Sequence, residues 1–93
     1  MNKIEESEIL GRLKTFNNWK YFNGQIEKEF EFKDFKSALI FVNNVGNEAE
    51  SMDHHPNIFL HDWNKVKISV STHSAGGITD NDFNLAAKIE EVK

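Results

Sequence analysis

Three of the four histidines lie in two short polar blocks, His54-His55-Pro56 and Ser71-Thr72-His73-Ser74-Ala75-Gly76-Gly77. Imidazole gives or takes a proton near neutral pH, and side chains at breaks between regular elements can converge on a ligand without filling a core. Glu50 stands four residues before His54, one helical turn, a spacing that sets a carboxylate beside an imidazole. Such a pair suits general acid–base chemistry.

Each residue also has a plainer role. His54 and His55 can cap a helix C-terminus, and His73 can end a strand in solvent. Gly76-Gly77 can simply make a turn. Asp82 completes a capping box with Thr79, so any catalytic duty would be additional. Zinc is a further reading, because imidazoles and carboxylates are competent ligands. Adjacent His54 and His55 point apart in most backbone conformations, however, and the chain has no cysteine and no His-x-x-x-His. The expectation is no metal.

The elements that must position these residues follow from periodicity. Ile9, Leu10 and Leu13 lie on one side of a short helix over Ile4 to Lys14, with acids early and bases late. Asn23-Gly24 predicts a hairpin between Trp19 and Phe32, with Ile26, Phe30 and Phe32 on one face and Glu27, Glu29 and Glu31 on the other. Phe35, Ala38, Leu39, Val42, Val45, Ala49 and Met52 recur at helical spacing, which predicts a long helix from Asp34 to Met52. Pro56 stops that helix and biases His55 toward extended geometry.

Ile58 to His61 reads as a short strand, and Val66, Ile68 and Val70 alternate with polar residues over Lys65 to Ser71. Thr79-Asp80-Asn81-Asp82 then starts a C-terminal helix carrying Phe83, Leu85, Ala86, Ile89 and Val92. Phe30, Phe32, Phe35 and Phe83 are assigned to the core. Trp19 and Trp63 are read as core aromatics, with stacking on a flat heterocycle as the alternative. The expected fold is α+β, a two-layer sandwich of a four-stranded antiparallel sheet with helices packed on one face.

A chain of 93 residues fits one domain spanning residues 1–93. Net charge is −4, with bases scattered rather than grouped, which disfavours direct nucleic-acid binding. No stretch has the length of a signal peptide or a membrane span, so the expectation is a cytoplasmic protein away from membranes.

Glu50-Ser51-Met52-Asp53-His54-His55-Pro56, Trp63-Asn64-Lys65-Val66 and Ser71 to Asp82, taken in order, strongly resemble the pterin-4a-carbinolamine dehydratase family. The helix with Leu85-Ala86-Ala87-Lys88-Ile89 is similar as well, whereas residues 1 to 49 agree only in element order. The resemblance implies elimination of water from a 4a-hydroxytetrahydropterin to give the quinonoid dihydropterin, without a cofactor, in the recycling of tetrahydrobiopterin for aromatic amino acid hydroxylases. It implies that His54 and His73 exchange protons and that His55 shapes or contacts the pterin. Glu50 and Asp82 would orient histidines or hold polar pterin edges, and Pro56 would set the direction of His55. It also implies a homo-oligomer, dimer or tetramer.

One departure is visible. The segment from Pro56 to Trp63 is one residue longer than in many members, and Trp63 stands where tyrosine is frequent. The rival reading is a non-catalytic interaction module of the same fold.

Overall fold

Asn23 and Gly24 both adopt left-handed backbone, φ 56° and 78°, the geometry a two-residue hairpin turn requires. They join β1 (Lys20–Phe22) to β2 (Gln25–Glu31). The structure, a computed structural model, describes residues 2–93. It continues through α2 (Phe35–Met52), β3 (Asn57–His61), β4 (Lys65–Val70) and α3 (Asp80–Val92), after an initial α1 (Glu6–Leu13). The sheet order is β1-β2-β4-β3, antiparallel throughout. The α+β expectation holds.

Alternation decides the two faces of the sheet. Ile26, Phe30, Val66, Ile68 and Val70 are buried beneath the helices with Phe41, Val45, Leu85 and Ile89. Glu27 pairs with Lys67 on the open face, and Phe59 stacks on His61 there, with ring centroids 4.7 Å apart.

Local chemistry sets the ends of the elements. Asp34 caps α2 by accepting from the Ser37 N–H at 2.7 Å, and a complete Thr79–Asp82 capping box opens α3. The first helix is shorter than its periodicity suggests because Ile4 N–H donates to the Ile78 carbonyl at 2.7 Å, so residue 4 is committed to an extended contact. β4 ends at Val70 because Thr72 and Gly77 bridge to each other and close the following loop.

Two core assignments need correction. α2 is rotated so that Ala38, Phe41, Val45 and Ala49 face inward, which leaves Phe35 and Leu39 exposed. Trp19 does join the core, but Trp63 is exposed in the β3–β4 turn, where it and Asp62 both have left-handed backbone. Among the described residues no helix is long and apolar enough to cross a membrane.

Lys28 shares the inward face of β2 with Ile26 and Phe30, yet it is charged and only 8% exposed. Its ammonium lies 2.6 Å from Glu90 and over the Phe30 ring, and the Trp19 indole N–H donates to the same carboxylate at 2.9 Å. This cluster ties the end of α3 to the sheet. Burial pushes the Glu90 carboxyl up, but hydrogen bonds from Lys28, Lys93 and Trp19 outweigh it and hold Glu90 below the usual carboxylate range.

A carboxyl lowered by folding stabilises the protein above its unfolded pKa, about 4.3, and that contribution is lost as pH falls through the lower folded value. Glu90→Gln is therefore expected to cost roughly 1 to 3 kcal/mol at neutral pH and to flatten the acid limb of stability in urea titrations. An unchanged midpoint and acid limb would contradict this account.

Candidate functional site

Helix α2 ends without glycine. Asp53 takes the left-handed conformation, φ 50°, so that its N–H donates to the Glu50 carbonyl at 3.2 Å and the His54 N–H to the Ala49 carbonyl at 3.1 Å. This is a Schellman closure. The Ala49 and Glu50 carbonyls are thus met by backbone, and both imidazoles turn to other partners.

The closure also corrects the Glu50–His54 pairing expected from helical spacing. Helical geometry stops before residue 54, and Glu50 instead meets His55, with His55 Nε2 2.5 Å from Glu50 Oε2 at an exposed rim. His54 turns the other way, and its Nε2 lies 2.6 Å from Asp82 Oδ1. Its side chain is 11% exposed, against 56% for His55.

Strand register explains why distant blocks meet. Asn57 of β3 lies opposite Ser69 of β4, so the chain just before β3 and the chain just after β4 leave the hairpin at the same end. The first carries His54, His55 and Pro56; the second carries Thr72 and His73. Asp82, in the first turn of α3, joins them. It is wholly buried, and its Oδ2 accepts from the Thr79 N–H and the Thr72 hydroxyl, each at 2.8 Å, while Oδ1 faces His54.

His73 opens a 3-10 turn, His73–Ala75, that Gly76 closes in left-handed conformation at φ 72°. It is exposed, and its imidazole makes no side-chain hydrogen bond or ion pair among the described residues. Pro56 is partly buried and immediately precedes β3. The anticipated residues therefore form two tiers. Asp82 and His54 lie inside; His55, Glu50 and His73 lie at the surface.

Asp82 is too buried to meet a ligand edge directly, and its geometry fits the orientation of a histidine. Thr72 escaped the sequence reading, although it shares even-numbered parity with Val66, Ile68 and Val70, which points it inward. Among the described residues no three His, Asp or Glu side chains are placed to share one metal ion.

Replacing Asp82 strands several buried donors at once. Asp82→Ala is expected to cost roughly 2 to 4 kcal/mol, read as a lower urea midpoint with unchanged slope. A loss under about 0.5 kcal/mol, typical of ordinary surface changes, would contradict its central place.

The family model described as pterin 4 alpha carbinolamine dehydratase matches residues 2–92. A Sulfurisphaera tokodaii protein provisionally named pterin-4-alpha-carbinolamine dehydratase is 46% identical over 92 residues, covering 99% of this chain and 98% of its own. A Sulfolobus acidocaldarius protein with the same provisional name is 41% identical over 91 residues, covering 98% and 99%. A crystal structure described as a transcriptional coactivator/pterin dehydratase from Brucella melitensis superposes with a TM-score of 0.91 at 33% identity, covering 98% of both chains. A pterin dehydratase-like RuBisCO assembly factor of the alpha-carboxysome shares the fold, with a TM-score of 0.68 at 18% identity, covering 83% of this chain and 90% of its own. With the matched profile spanning nearly all of its length, this chain belongs to the pterin-4a-carbinolamine dehydratase family.

Proposed function

We propose that this protein dehydrates a 4a-hydroxytetrahydropterin to the quinonoid dihydropterin, acting in the cytoplasm in the recycling of tetrahydrobiopterin for an aromatic amino acid hydroxylase. The observation that carries the reading is the Asp82 bridge. It fastens His54 to the segment bearing Thr72 and His73, in a chain whose family is named for this reaction.

The reaction needs one acid and one base. The bond from C4a to oxygen breaks as the departing hydroxyl takes a proton and leaves as water. N5 gives up its proton, and its electrons form the C4a–N5 double bond. No electrons are exchanged with another reactant, so two proton-transfer groups are sufficient.

His54 and His73 take those roles in this reading. His54 is held by a buried carboxylate, as a proton-transferring imidazole must be if its ring is to keep one orientation. His73 stands unpaired at the surface, within reach of a ligand. His55, steadied by Glu50 at the rim and directed by Pro56, contacts the polar edge of the pterin.

The exposed face of α2 supports a homo-oligomer. Phe35, Leu39 and Ile40 are 48%, 41% and 52% exposed on one helix, and burying such a stripe between copies is favourable. A second reading, a non-catalytic interaction module, rests on the same stripe. Sedimentation velocity is expected to show a dimer or tetramer that Leu39→Glu with Ile40→Glu converts to folded monomer. A monomeric wild type would contradict the assembly.

The catalytic reading is tested by stopped-flow absorbance of enzymatically generated 4a-hydroxytetrahydropterin. Wild type is expected to accelerate dehydration over buffer, with His54→Ala and His73→Ala each losing about a hundredfold or more of that acceleration while the fold persists. A folded wild type that gives no acceleration would overturn the dehydratase reading in favour of the interaction module.

A further inference from the structure

Thr72 has no part in the proton transfers above, yet its hydroxyl is the hinge of the buried network. Thr72 is 8% exposed and Thr79 and Asp82 are fully buried, so each proton must have a definite acceptor. The Asn81 N–H donates to Thr79 Oγ1 at 3.2 Å. Thr79 Oγ1 lies 2.7 Å from Thr72 Oγ1, and Thr72 Oγ1 lies 2.8 Å from Asp82 Oδ2. A carboxylate oxygen only accepts. Thr72 therefore gives its single proton to Asp82, and the Thr79 hydroxyl gives its proton to Thr72.

The Thr79 N–H donates to the same Oδ2 at 2.8 Å. Two donors occupy that oxygen and fix the rotation of the carboxylate, which presents Oδ1 to His54 Nε2. A neutral imidazole has one N–H, and the hydrogen bond made by one ring nitrogen decides the state of the other. Donation from Nε2 leaves Nδ1 bare. There the neutral ring can only accept a proton.

We propose that Thr72 is a positioning residue for the dehydration, locking Asp82 so that His54 is held as the Nε2–H tautomer and meets the pterin through Nδ1. The inference rests on the dehydratase reading for its chemistry, but the tautomer is a property of the free protein. Loss of the Thr72 hydroxyl removes a donor from Oδ2 and strands the Thr79 proton. The carboxylate is then free to turn, and the ring it holds turns with it.

The test uses the full chain labelled with 15N-histidine, observed by long-range proton–nitrogen NMR at about pH 8.5, two units above the ordinary imidazole pKa, together with stopped-flow rates. Wild type and Thr72→Ser are expected to show His54 protonated on Nε2, with that proton protected from solvent exchange. Thr72→Val is expected to lose the protection and to lower kcat about tenfold to a hundredfold with little change in KM. Thr72→Ser should keep most of the rate.

A wild-type His54 protonated on Nδ1 would overturn the proposal. So would a Thr72→Val protein that matches wild type in both the His54 signal and kcat. If Thr72→Val does not fold, Thr72→Ala takes its place, and the wild-type tautomer needs no variant at all. A wild type that shows the protected Nε2–H but no acceleration would sink the dehydratase reading and support the orientation network independently.

Discussion

One buried carboxylate holds the site together. Removing the Asp82 side chain from water would be costly if its oxygens went unpaired, and here the Thr72 hydroxyl, the Thr79 N–H and the His54 ring meet them. Among the described residues no buried side-chain nitrogen or oxygen lacks a partner. The same group thus starts α3, anchors the loop after β4 and aims a histidine from the far end of α2. A helix cap thus doubles as the brace of the proposed proton-transfer site.

The sheet makes that convergence possible. An antiparallel β3–β4 hairpin returns the chain to the end from which it set out, so residues 54–56 and 71–73 become neighbours although a whole hairpin separates them in sequence. The Schellman closure at Asp53 then turns His54 inward and leaves His55 outside with Glu50. Elsewhere the Lys28–Glu90–Trp19 cluster fastens the other end of α3 to β2. The last helix is therefore held at both ends by charged groups and along its length by apolar packing.

Much of this was legible from residue order. Asn23-Gly24, the alternation of Val66, Ile68 and Val70, and the Thr79–Asp82 box are local signals, and local geometry decides them. The partner of Glu50 was not legible, because an aspartate in left-handed conformation ends α2 where no glycine announces it. Phe35 and Leu39 misled for another reason. An apolar residue at helical spacing marks a face to be covered, and the pattern does not say whether this chain or another surface covers it. Lys28 and Thr72 were hidden by their polarity, although strand parity pointed both inward; Lys28 is satisfied by Glu90 from the far end of the chain, and Thr72 by Thr79 and Asp82 across the following loop.

One pterin site that holds both His54 and His73, braced by Asp82, is the core of the proposed function. It is tested most directly by following the ring signals of both histidines in 15N-histidine-labelled protein as 7,8-dihydrobiopterin is titrated in. The two signals are expected to move together and to saturate at the same ligand concentration. Movement of only one, or of neither at saturating ligand, would contradict it.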